Sequence, residues 1–170
     1  MKCKGITMTT EQKIIRDTIH GNIKFQDIFI QLLETPEIQR LYHVKQLGFA
    51  HLVFPGAHHT RLEHSLGAYK IAQDVANALQ LDSEQTTLVC CAALLHDIGH
   101  GPFSHTLESI LLQEFGVDHV DLADKIIFGD YDVLEDLPII AKTHILWTLS
   151  ENNQHTQSWR ILSFIFMYQF

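Results

Sequence analysis

The spacing of apolar residues along the chain predicts one short hairpin followed by a series of helices. β-Branched residues in Lys13–Asp17 and Ile23–Phe25 flank His20-Gly21-Asn22, a Gly-Asn turn signal of the kind that joins two strands. From Asp27 to Leu33 the apolar positions Ile28, Phe29, Leu32 and Leu33 take helical spacing. Pro36 then suits the first turn of a second helix, with Thr35 as N-cap and Gly48 as its end. The Pro-Gly pair in Phe49–Thr60 predicts a loop. Beyond it a long helical pattern carries Leu66, Tyr69, Ile71, Ala72, Val75, Ala76 and Leu79. Asp82 or Ser83 caps a further helix whose Leu88–Leu95 run is apolar all round and so belongs at the centre of a domain. Gly99, Gly101 and Pro102 stop that helix. A new one over Phe103–Phe115 places Phe103, Leu107, Ile110, Leu111 and Phe115 on one face, and His119–Phe128 reads as another.

No repeat, low-complexity tract or linker interrupts this pattern before about residue 150. The expected organisation is a flexible N-terminus over 1–12, one domain over 13–150, and an atypical tail over 151–170 that marks a truncation boundary. The ten tail residues from Ile161 hold three Phe, one Tyr, two Ile, one Leu and one Met. Apolar surface is costly in water at ~25 cal/mol per Å², so the tail predicts self-association and a homo-oligomer. With 170 residues, 46% hydrophobic and 19% charged, the chain can bury a core. Lys+Arg 12 against Asp+Glu 20 gives a net charge of −8, which argues against broad capture of nucleic acid or an anionic membrane. Leu88–Leu95 and Ile161–Phe170 fall short of the ~20 residues a membrane helix needs. Cys3, Cys90 and Cys91 make no disulfide framework, which suits the cytoplasm.

The chemistry lies in the histidines, 12 in all. His43, His51, His58, His59, His144 and His155 read as ordinary surface or hydrogen-bonded residues. His96-Asp97 differs, because an apolar helix delivers an imidazole and a carboxylate together, and burying them costs several kcal/mol unless they are paired or bind metal. Imidazole with carboxylate suits Fe, Mn, Zn, Co or Ni better than Ca²⁺. His64, at the start of the long helix after Arg61, is the best further ligand. An ion pair that ties helix ends together is the plainer alternative. Glu108 follows His105 by one helical turn, so both can face one volume, a general acid/base arrangement that His100 and His119 lie near.

His64 in RLEHSLG followed by His96-Asp97 in LLHDIGHGPFSH resembles the HD-domain metal-dependent phosphohydrolases, in particular the deoxynucleoside triphosphate triphosphohydrolase (dGTPase-like) branch. DTIHGNI (17–23), TPEIQRL (35–41) and QLGFAHLVFPGAHHTRLEHS (46–65) match that branch as well, so the resemblance spans roughly residues 13–130 and the N-terminal part of the family. It implies an all-α HD-domain helical bundle with a short N-terminal β-hairpin. His64, His96 and Asp97 would be metal ligands, with Mg²⁺ as an additional ion. Gln46 would contact the nucleoside and Arg61 the phosphates, while His100, His105, Glu108 and His119 match the acid/base positions. Lys13, Glu34 and Gln39 match a regulatory nucleotide site. Three positions depart from the family pattern. The DRxDY-like segment carrying a fourth ligand has no match, Asp130, Asp132 and Asp136 standing in another context. Val120 replaces a usual Glu, and Tyr42 replaces a basic residue. The implied activity is hydrolysis of a deoxynucleoside triphosphate to deoxynucleoside and triphosphate. Other HD-type phosphodiesterase or nucleotidase chemistry, or a truncated and catalytically weak nucleotide-binding module, are the alternatives.

Overall fold

A computed structural model of the protein describes residues 12–128, with the side chains of residues 104 and 105 outside the description. The expectations for 1–11 and 129–170, including the tail and Asp130, Asp132 and Asp136, lie outside the described residues. Among those described, the fold is helical with one N-terminal hairpin. Strand β1 (Gln12–Asp17) pairs antiparallel with β2 (Gly21–Gln26), placing Ile15 opposite Ile23 and Lys13 opposite Phe25. The turn falls on Thr18–His20, earlier than the Gly-Asn signal predicts. Its cause is Asp17, whose carboxylate accepts from the amides of Ile19 (2.8 Å) and His20 (2.7 Å). Gly21, at φ +73°, opens β2 instead of forming the turn.

Helix α1 (Ile28–Leu33) is followed by α2 (Pro36–Gln39), which begins where Thr35 Oγ1 accepts from the Ile38 amide at 3.4 Å. The helix predicted to continue to Gly48 gives way to a 3₁₀ turn over Arg40–His43. Competing backbone partners explain this. The Val44 carbonyl accepts from the Arg61 amide (2.8 Å), and the Gln46 amide donates to the His59 carbonyl (3.1 Å), drawing residues 44–46 into a bridge with the segment before α3. A second 3₁₀ turn over Gly48–Leu52 starts at the predicted helix end and runs into the predicted loop.

Helices α3 (Arg61–Ala78) and α4 (Ser83–Leu95) pack on each other and form the centre. Each starts at a capping box, Thr60 with Glu63 and Asp82 with Gln85, which satisfies amides that a helix start leaves without partners. Leu62, Leu66, Tyr69, Ala72 and Ala76 of α3 are buried, as is all of Cys90–Leu95; Val75 and Leu79, expected on the same stripe, are exposed. The hairpin closes over α3 through Phe25, stacked on Tyr69 at 4.6 Å. Burying a side chain such as Leu94 or Phe25 contributes roughly 1.5–3 kcal/mol, so this contact fixes the face on which α3 sits.

Helix α5 (Ser104–Phe115) begins after Phe103 in a left-handed conformation and ends at Gly116. Its expected inner face is not covered among the described residues, where Leu107, Ile110 and Phe115 are exposed. Helix α6 (His119–Phe128) buries Ala123 and Ile127. Gly99 is the point of closest approach. A Cβ there would lie 2.6 Å from the Ala123 amide nitrogen and closer still to the His119 carbonyl. Both obstacles are backbone, so Gly99→Ala is expected to push α6 away and lower the melting temperature by several degrees, as overpacking of ~1–3 kcal/mol does. A melt of Gly99→Ala superimposable on the parent's contradicts this.

Candidate metal and phosphate site

The apolar half of α4 drives His96 and Asp97 into the interior, where they are only 7% and 4% exposed. The start of α3 supplies their partners. Arg61, 1% exposed, donates from Nη1 to Asp97 Oδ2 at 2.6 Å. One helical turn later, His64 Nε2 lies 3.1 Å from His96 Nε2 and 3.8 Å from Asp97 Oδ2, and His96 Nε2 is 3.3 Å from Asp97 Oδ1. One ligand atom from each of His64, His96 and Asp97 thus falls within 4.8 Å of the others, the convergence expected from the sequence.

The donor set fits a divalent transition ion. His96 Nδ1 is 2.8 Å from the Ala93 carbonyl, and a carbonyl only accepts, so Nδ1 donates there and Nε2 is the ring nitrogen turned toward His64 and Asp97. Burial lowers the pKa of His64, which favours the neutral ring. Burial alone would raise the Asp97 pKa, but His96, His100, Arg61 and His64 surround the carboxylate and bring it down to about 2. Two imidazoles facing an ionised carboxylate are a donor set that a metal of the Fe, Mn, Zn, Co or Ni type takes up.

The same environment predicts acid sensitivity in the metal-free protein. Asp97 is depressed in the fold, so its contribution is complete above its ordinary pKa of 3.8 and is lost as pH falls toward 2. His64 is also depressed, so the unfolded chain takes up its proton first and stability falls as pH drops below 6.5. The melting temperature is expected to decline in two stages below these values. A flat profile from pH 7 to pH 3 contradicts it.

A second group of side chains adjoins this cluster. His100, 1% exposed, places Nε2 at 3.5 Å from Asp97 Oδ1 and stacks on His119 with ring centroids 4.1 Å apart. His119 Nδ1 in turn is hydrogen-bonded to the Glu108 carboxylate. Gly99 is the reason α6 can bring His119 this close. Glu108, expected beside His105, thus has His119 as a partner; the side chain of His105 lies outside the description, its backbone standing in the first turn of α5.

Gln46 and Arg61 share the wall of a cavity of about 410 Å³ that Leu47, Phe49 and Phe103 also line, the two Phe rings stacking at 4.2 Å. Gln46 Oε1 is buried with no hydrogen-bond partner among the described residues. A buried acceptor left in that state costs ~1–3 kcal/mol, which a ligand donor would offset. The proposed regulatory residues stand on β1, at the residue just past α1, and on α2. Lys13 Nζ pairs with Glu34 Oε1 at 3.3 Å on the surface, and the Gln39 side-chain Nε2 donates to the Leu33 carbonyl at 2.6 Å.

Two residues near the site, both inside segments quoted above, have no role assigned by the sequence pattern. His20 rests on α3, its Nε2 3.2 Å from where a Cβ on Gly67 would stand, and it lines a cavity of about 390 Å³ that His64 also reaches. Arg40 donates to the backbone just past Asp97. Both contacts join segments far apart in the chain, which local spacing does not reveal.

Comparison with known proteins places these features in context. Residues 61–163 match the HD domain family. The chain is 41% identical over 130 residues to the uncharacterized protein YwfO of Bacillus subtilis, covering 73% of this chain and 29% of that protein. It is 43% identical over 103 residues to the human deoxynucleoside triphosphate triphosphohydrolase SAMHD1, covering 56% of this chain and 16% of that one. A phosphohydrolase structure from Bacteroides thetaiotaomicron superimposes with a TM-score of 0.70 at 30% identity, over 89% of this chain and 38% of the other. The chain therefore spans less than a third of the length of these two curated relatives.

Proposed function

The chain belongs to the HD domain family, and on that premise we propose that it hydrolyses deoxynucleoside triphosphates to deoxynucleoside and inorganic triphosphate. The observation that carries this reading is the convergence of His64, His96 and Asp97 from two helices, with Arg61 bound to the same carboxylate. These three residues would hold the divalent ion, with Mg²⁺ as an additional ion. When bound, such an ion supplies a Lewis acid and a water whose pKa falls toward ~7.

The chain's own residues account for the rest of the reaction. Water adds to the α-phosphorus, the bond from phosphorus to the 5′ oxygen breaks, and that oxygen takes a proton. Arg61 faces the 410 Å³ cavity and sets a positive charge against the phosphate oxygens there. His119 is oriented through Nδ1 by Glu108, so its proton traffic runs through Nε2, with the buried His100 ring stacked beside it. His105, one turn before Glu108 on α5, belongs to the same proton-transfer group. Gln46, which lines the same cavity as Phe49, Phe103 and Arg61, would use its buried Oε1 to accept from the nucleoside. Lys13, Glu34 and Gln39 form the proposed regulatory nucleotide contact. The similarity to SAMHD1 supports a deoxynucleoside triphosphate over other phosphate esters.

Incubation of the Mn²⁺-loaded protein with each deoxynucleoside triphosphate, followed by chromatography of the products, tests this directly. Triphosphate and deoxynucleoside in equal amounts are expected. Release of monophosphate or pyrophosphate, or turnover of phosphodiesters alone, contradicts the reading and favours another HD-type phosphodiesterase or nucleotidase.

A further inference from the structure

The turn that carries Asp97 into His100 has two opposing requirements. Gly99 has to lack a side chain so that α6 can approach, and a glycine between the two functional residues leaves the backbone loose. The carbonyls on either side of it, Ile98 O and His100 O, lie past the end of α4, beyond the reach of its own amides. One side chain meets both. Arg40, half-buried at the end of α2 and some 60 residues away in sequence, donates from Nη1 to His100 O at 2.7 Å and from Nη2 to Ile98 O. Glu37, buried one turn earlier on α2, opposes with its charge the cost of burying the guanidinium.

We propose that Arg40 is a positioning residue for the metal and proton-transfer site, clamping the Gly99 turn at both flanking carbonyls and so fixing the aim of Asp97 and His100. A planar guanidinium holds two acceptors at a set angle. A lysine ammonium keeps the charge but lacks that fork. The two arginines therefore divide the work around the turn, Arg61 binding the Asp97 carboxylate and Arg40 the backbone that carries it.

The inference rests on the metal reading above, and its test separates the two. Co²⁺ titration of the whole chain, followed by visible absorption, is compared for the parent, Arg40→Lys and Arg40→Met, with thermal melts alongside. Arg40→Lys is expected to fold, to bind Co²⁺ about tenfold or more weakly with an altered absorption band, and to lose turnover with little change in KM. Arg40→Met should lose as much or more. A parent that takes up no Co²⁺ fails the metal reading and this inference with it. A parent that binds while Arg40→Lys matches its affinity and spectrum overturns the inference alone. Loss of the fold in both variants also overturns it, because Arg40 would then be scaffold for the whole domain.

Discussion

Asp97→Ala is expected to abolish bound metal and hydrolysis together and to lower stability by about 3–5 kcal/mol. The first loss follows from removing a carboxylate that two imidazoles face. The second has a different origin. Arg61 is 1% exposed and its Nη1 donates to that carboxylate, so the alanine leaves a guanidinium charge stranded in the interior. No local pattern in the sequence links residues 61 and 97, so this second loss is visible only in the fold. Asp97→Asn separates the effects: it keeps an acceptor for Arg61 and should recover part of the stability without recovering metal. Metal analysis, a thermal melt and a triphosphate assay on both variants check this. Parent-like activity in either would show that the chemistry lies elsewhere.

His119→Ala should lower turnover by roughly 10²–10⁴-fold with the ion retained, the range expected when a positioned proton donor is removed. His119 is held by Glu108 and stacked on His100, and it is not one of the three converging ligands. Its removal should thus disturb proton transfer and leave metal uptake as it was. A matched loss of metal and activity would make His119 a ligand instead. Glu108→Gln provides a graded version, because the glutamine still reaches His119 Nδ1 but no longer stabilises the charged ring.

The sequence makes some parts of this site readable and hides others for physical reasons. His96 and Asp97 stand out because Leu88–Leu95 is apolar on every side, and a helix of that kind has to carry its C-terminal end into the core. His64 follows from its place one turn inside α3 beside the buried Leu66. The hairpin is legible from its β-branched residues, yet its turn falls earlier because the Asp17 side chain outweighs the Gly-Asn signal. The helix after Pro36 is shortened by a backbone bridge from Lys45 to Thr60, a partner 15 residues away that no helical periodicity contains. Glu108 has the spacing to meet His105, but its bond to His119 depends on α6 folding back over Gly99. Arg40 is the least visible of all. Its function rests on two carbonyls, which no side-chain pattern encodes.

We propose that His64, His96 and Asp97 hold one ion between them. The most direct measurement is elemental analysis of the protein after Mn²⁺ or Fe²⁺ loading and removal of loose ions, for the parent and for His96→Ala. One ion per chain in the parent, lost in His96→Ala, is expected. Equal metal in the two proteins, or none in the parent, would contradict it.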